Sequence, residues 1–235
     1  SSTVKAYGKM VKKSYKETDP LHGDLPDEVS KSAADLVAQS YAKTYGLRVG
    51  IFRSCNIYGP ADFNMDRLIP GTIIKALRGK PIKLRTSGRL KRDYLYVDDA
   101  SNAIYKLILQ MNKNVKKNLF IYNLGSKFNL SSLEVVKWIY KIMNVNLKPI
   151  VLNSSSIEIV AQKIDFSKAK KELKWMPKIN FSEGMPLNSY LNASIIISIS
   201  FLIGGIFMWF KKIITWHLPI TFLISLILIS SIFWL

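Results

Sequence analysis

Asp27 and Lys31 stand four residues apart at the start of an apolar-periodic segment. That spacing places a carboxylate and an ammonium one helical turn apart, an exposed ion pair on a helix. Other chemistry-bearing side chains are sparse. One cysteine, Cys55, excludes a disulfide framework and fits a reducing compartment, and two histidines without a Cys/His cluster offer no zinc site. No Gly-x-x-Gly-x-x-Gly turn occurs in the 235 residues, so the chain does not spell the backbone cradle that meets a dinucleotide pyrophosphate at a helix N-terminus. The balance of 34 Lys+Arg against 16 Asp+Glu is strongly basic. The lysines are scattered, for instance Lys9, Lys12 and Lys16, then Lys113, Lys116 and Lys117, rather than interleaved with aromatics. They describe a solvated surface and no nucleic-acid face.

Elements that could position these groups alternate along residues 1–185. The segment 31–45 reads as an amphipathic helix with Ala33, Val37 and Tyr41 on one stripe, ended by Gly46. A strand follows at 48–53, then a loop over 54–66 and a helix over 68–77. Short strands are expected at 81–84 and 94–97. A helix over 98–110 carries Ala100, Ala103, Ile104, Leu107 and Ile108 inward, and 119–123 is a further strand. Ser131-x-x-Glu134 is a capping box opening a helix with Leu133, Val136, Tyr140 and Met143 inward. Helices between extended segments argue an α/β domain. With 49% hydrophobic and 21% charged residues, disorder is excluded.

Residues 186–235 have a different composition, with Lys211 and Lys212 their only Lys, Arg, Asp or Glu. The uncharged runs 190–210 and 213–235 would be about 31 and 34 Å long as helices, enough for a bilayer core. Two transmembrane helices are the expectation, holding a cytoplasmic basic domain at the membrane. The last run ends without a polar terminus, as a truncated or frame-shifted reading also would.

Several motifs then stand in a fixed order: Ser1-Ser2-Thr3-Val4-Lys5-Ala6-Tyr7-Gly8, Pro26 to Asp35, and Arg53-x-x-Asn56-Ile57-Tyr58-Gly59-Pro60. Next come Arg67-Leu68-Ile69-Pro70, Arg92-Asp93-Tyr94-x-Tyr96-Val97-Asp98-Asp99, Asn123-Leu124-Gly125-Ser126, and Leu173-Lys174-Trp175-x-Pro177. The string resembles the C-terminal two-thirds of an extended short-chain dehydrogenase/reductase. Within that family it is similar to the nucleotide-sugar 4,6-dehydratases and 4-epimerases, leaning to the CDP-glucose 4,6-dehydratase type. The resemblance implies the C-terminal portion of a Rossmann-like α/β fold with its substrate-binding subdomain, followed here by the two hydrophobic helices. It also implies NAD as cofactor, a nucleotide sugar as substrate, and a homodimer formed through the helix holding Lys31.

Carried over residue by residue, Thr3 falls at the Ser/Thr position beside the sugar C4 hydroxyl, and Lys5 matches a dehydratase-type lysine. Lys31 matches the lysine that lowers the catalytic tyrosine's pKa and contacts the nicotinamide ribose. Asn56 and Arg92 would hold the substrate phosphates, Arg67 and Leu68 the nucleotide channel, and Ile82 the base pocket. Two positions depart from the pattern. Asp27 stands where the family has its tyrosine, and Val4 where dehydratases have an acid; Tyr15 and Tyr41 have no lysine four residues later. The expectation is a truncated, catalytically impaired relative of the dehydratases. Two alternatives are a 4-epimerase relative, which needs no acid at Val4, and a membrane-anchored, non-catalytic protein that binds a nucleotide sugar or a partner.

Overall fold

A computed structural model describes residues 1–8, 14–154 and 161–185. Its first sheet is parallel, in the order β1 (Ser2–Thr3), β2 (Val49–Ser54) and β6 (Leu119–Leu124), with Ser2 opposite Arg53 and Arg53 opposite Asn123. A 3-10 turn, Val4–Tyr7, follows β1. Helix α1 (Pro26–Tyr45) crosses over from that turn to β2. Its other neighbour in the chain is the left-handed Gly46, φ 66°, which ends it. The helix starts five residues earlier than expected, because Pro26 suits the first helical position. Glu28 also reaches back, its Oε2 accepting the amides of Asp24 and Leu25 at 3.1 and 3.2 Å.

A second group of strands is built on β5 (Lys91–Tyr96). Its C-terminal half pairs in parallel with β3 (Asn56–Tyr58), a strand within the stretch expected to be loop. Its N-terminal half pairs antiparallel with β7 (Asn129–Ser131) and in parallel with β9 (Ala161–Gln162). Helix α2 (Leu68–Leu77) matches its expected bounds, and α4 (Ser132–Ile142) opens on the expected box, with Ser131 and Glu134 exchanging bonds of 2.7 and 3.2 Å. The pair β4 (Lys83–Leu84) and β8 (Ile150–Val151) flanks them. Ile73, Val135, Val136 and Ile139 are wholly buried where α2 meets α4. Each such side chain contributes about 1.5–3 kcal/mol.

A second core lies between the parallel sheet, α3 (Val97–Lys113) and α5 (Ser167–Glu172), where Leu107, Phe120, Tyr122 and Trp175 meet. Ala100, Ala103 and Leu107 of α3 face inward as expected, but Ile108 is exposed. Asp99 fastens the segment beyond α5 to the start of α3: its Oδ2 accepts the amides of Lys178 and Ile179, both at 2.9 Å, and its carbonyl accepts Trp175 Nε1–H at 2.9 Å.

The amphipathicity of α1 runs opposite to expectation. Its buried residues are Glu28, Ser32, Asp35 and Ala42, whereas Val37 and Tyr41 are 55% and 48% exposed. The reason is Arg53, 2% exposed on the sheet face beneath the helix. A guanidinium keeps its charge, so burial requires acceptors on every side. Asp35 takes its Nε and Nη2 at 2.9 and 3.0 Å, and Nη1 donates to the Tyr7 hydroxyl at 2.9 Å. Tyr7 in turn donates to Asn123 Oδ1 at 2.7 Å. Burial tends to raise the Asp35 carboxyl, but the Arg53 bonds win and hold it below its ordinary value.

The uncharged runs 190–210 and 213–235 lie outside the described residues. Among the described residues, no helix is long and apolar enough to cross a membrane.

Removing one member of a buried pair strands the other charge. Asp35→Ala should therefore lower the unfolding free energy of the full chain by about 3–5 kcal/mol, whereas an exposed change such as Lys43→Ala should stay within about 0.5 kcal/mol. Urea denaturation followed by circular dichroism reads both.

Candidate functional site

The expected catalytic positions are set by the turn after β1. Thr3 is extended, φ −146° and ψ 157°, and its Oγ1 accepts the Lys5 amide at 3.4 Å, starting the 3-10 turn. Gly8 closes that turn at φ 71°, and a Cβ there would lie 1.5 Å from the His22 carbonyl oxygen. Only glycine lets the two backbones meet so closely. That meeting, with the His22 amide donating to Ala6 O at 3.0 Å and Ser32 Oγ donating to the same carbonyl at 2.9 Å, brings the start of α1 beside the turn.

Asp27 and Lys5 are joined as a result. Lys5 Nζ donates to Asp27 Oδ2 at 2.8 Å, with side chains 48% and 57% exposed. The expected one-turn pair with Lys31 is not the one formed: the aspartate, in the first turn of α1, faces the 3-10 turn, and Lys31 is exposed on the same helix. The hydrogen bond and charge of Lys5 hold the Asp27 carboxyl below its ordinary 3.8. Val4, at the family's acid position, is 5% exposed and packs into the core of the parallel sheet. Tyr7 supplies no substitute phenol. Its hydroxyl is taken up by Arg53 and Asn123, and burial pushes its pKa up to about 12 despite Arg53.

Asn56 and Arg92, expected at the substrate phosphates, lie on the β3–β5 ladder. Asn56 is exposed and opposite Tyr94, and the two-residue alternation puts Arg92 on the same face, one step along β5. Arg92 Nη1 donates to the Lys91 carbonyl at 2.9 Å. Arg67, just before α2, pairs with Asp62 at 3.1 Å, and both lie on the wall of an open cleft of about 260 Å3 shared with Ile57, Tyr58, Gly59, Pro60 and Val97. Leu68 is half-buried against the α2–α4 core. Ile82 is 6% exposed within that core, and its amide donates to the Tyr140 hydroxyl at 2.9 Å.

A family model described as "NAD dependent epimerase/dehydratase family" matches residues 1–125. The chain belongs to the NAD-dependent epimerase/dehydratase family. It is 33% identical over 199 residues to a dTDP-glucose 4,6-dehydratase of Haemophilus influenzae, covering 78% of this chain and 57% of that protein. Among solved structures it is similar to the Bacillus anthracis dTDP-glucose 4,6-dehydratase in complex with NAD, with a TM-score of 0.69 and 29% identity over 81% of this chain and 60% of that one. It is also similar to a Bacillus cereus UDP-glucuronic acid 4-epimerase holding UDP-glucuronic acid and NAD, with a TM-score of 0.70 and 25% identity over 78% of this chain and 57% of that one. The chain thus spans rather more than half the length of these epimerase/dehydratase relatives. The two dehydratases named act on dTDP-glucose, so they lend no support to the CDP-glucose type.

NAD is the cofactor of the epimerase/dehydratase family. Asp27, paired with Lys5, stands where the resemblance expects the phenol that shuttles a proton, and a carboxylate does not fit that part in a nicotinamide oxidation centre. Sequence reasoning missed the Arg53–Asp35–Tyr7–Asn123 network under this site. Its signal was present in the strand alternation, which puts Arg53 on the same sheet face as Ile51.

Asp27 has a lowered folded-state pKa, so its contribution to stability is present above the unfolded value of about 3.9. It is lost as the pH falls through the lowered one. Exposure limits it to about 0.2–1 kcal/mol. NMR titration should place the Asp27 carboxyl below 3.8 and return it towards that value in Lys5→Met. An unchanged titration in the variant would refute the assignment of the shift to Lys5.

Proposed function

We propose that residues 1–185 form the substrate-side part of a nucleotide-sugar 4,6-dehydratase-type domain. This part holds a nucleoside-diphosphate hexose through Asn56, Arg67 and Arg92 and does not oxidise it at C4. The observation that carries the second half is the 2.8 Å Lys5–Asp27 ion pair at the tyrosine position. Removing a proton from a sugar hydroxyl needs a base whose pKa lies near the working pH. A carboxylate held below 3.8 is far too weak a base, and it has no proton to return at neutral pH. Val4 cannot act on C5 or C6, since a buried alkyl side chain carries no transferable proton. The absent acid fits an epimerase-type site better than a dehydratase-type one, but both need the phenol.

Support for binding comes from the shared face of Asn56 and Arg92 and from the neighbouring Arg67 cleft. Arginine forks match diphosphate oxygens, and hydrogen bonds to charged groups contribute about 1.5–3 kcal/mol each. Pairing of two copies is supported by the exposed stripe of α1, Val29, Leu36, Val37 and Tyr41, which presents about half of each side chain to solvent. Attachment to a membrane, and with it a cytoplasmic face for the basic domain, rests on the uncharged runs 190–210 and 213–235. Retention of the full chain in carbonate-washed membranes would support that attachment.

With NAD and dTDP-glucose supplied, the full chain should form no 4-keto sugar by NMR, and measurable turnover would end this reading. It should bind dTDP in calorimetry, and Arg92→Ala should weaken binding roughly tenfold or more. Leu36→Lys should leave folding intact and shift sedimentation from dimer to monomer. A wild-type chain that sediments as a monomer would discard the pairing.

A further inference from the structure

The cleft between β3 and the start of α2 has two charged residues on its described wall, Asp62 and Arg67, and they are paired with each other at 3.1 Å. The loop between them holds this arrangement. Asp62 Oδ1 accepts the Asn64 amide at 3.3 Å, Asn64 Oδ1 accepts the Asp66 amide at 3.1 Å, and the Asn64 carbonyl accepts the Arg67 amide at 3.0 Å. The Asp62 side chain is 16% exposed and therefore fixed in the wall, whereas the Arg67 side chain is 61% exposed and open to an incoming ligand. The rest of the wall is apolar side chain and backbone.

We propose that Asp62 is a built-in competitor for the anionic ligand of this cleft, setting how tightly a nucleoside diphosphate binds by occupying the guanidinium of Arg67. The inference rests on the nucleotide-sugar reading above. A guanidinium fork that engages a carboxylate has fewer donors to offer a phosphate. The ion pair is exposed on the arginine side, so it is weak, and a diphosphate with more than one negative charge displaces it. The carboxylate cannot follow Arg67 outward, because the loop holds it. Binding therefore has to break the pair, and that cost weakens it.

Asp62→Asn removes the charge and keeps Oδ1 as the acceptor for Asn64. Calorimetric titration of the full chain with dTDP should show this variant binding roughly two- to five-fold more tightly than wild type. The gain should vanish in Asp62→Asn/Arg67→Gln measured against Arg67→Gln alone. Circular dichroism melting of each variant confirms that the loop change leaves the fold intact. Unchanged or weaker dTDP binding by a folded Asp62→Asn, with wild type still binding, overturns the competitor role and leaves the nucleotide reading standing. A gain that persists without Arg67 also overturns it, since the carboxylate would then act on the ligand alone. If neither wild type nor any variant binds dTDP, the nucleotide reading fails and takes the competitor role with it.

Discussion

A permanent cation sealed beneath a helix governs much of this molecule. Arg53 cannot shed its charge on burial, so the elements around it must bring acceptors: Asp35 from α1, the Tyr7 hydroxyl from the turn after β1, and the Glu17 carbonyl. Through Tyr7 the network reaches Asn123 on β6, whose side-chain Nδ2 donates to the carbonyls of Tyr15 and Asp165 at 3.1 and 3.2 Å. Segments far apart in sequence are thereby fixed around one guanidinium. The positions of Thr3, Lys5 and Asp27 relative to one another follow from it, because each belongs to an element the network anchors. The Lys5–Asp27 contact itself is weak and exposed; the geometry that permits it is not.

The same constraint explains why α1 departs from an ordinary amphipathic pattern. Satisfying Arg53 and the Ala6 carbonyl assigns the inner face to Asp35 and Ser32, and Glu28 is buried at the N-terminus by its two amide contacts. The apolar residues that periodicity would send inward are left on the outer face. Periodicity reports which residues share a face, but not which face a buried charge will claim. Here electrostatics outranks hydrophobic patterning.

Where local chemistry decides, the sequence was readable. The Ser131/Glu134 box, the Gly46 terminus and the bounds of α2 all appear where residue types place them. The family was readable too, because its motifs stand in order along 1–125. What escaped depends on distant partners. Asn56–Tyr58 forms a strand because β5 lies beside it, and β7 and β9 likewise exist as pairings to β5. Of the expected site residues, the structure brings Thr3 and Lys5 together with Asp27, and sets Asn56 and Arg92 on one face. Ile82 it places in a core. Asp27 was expected to pair within its own helix, and the contact with Lys5, 22 residues earlier, could not be inferred from spacing.

The Asp99 clasp has a mechanical meaning. Both amides and the indole it holds come from the stretch 175–179, just ahead of the last described residues, while Asp99 itself sits in the first turn of α3, whose inner face packs on the parallel sheet. A pull on the segment after Trp175 is therefore shared: Phe181 passes part of it to Tyr58 and Tyr94 on β3 and β5, and residues 175–179 pass the rest into the axis of α3 through three hydrogen bonds. The domain is strain-relieved at that end, as a cable is where it enters its housing.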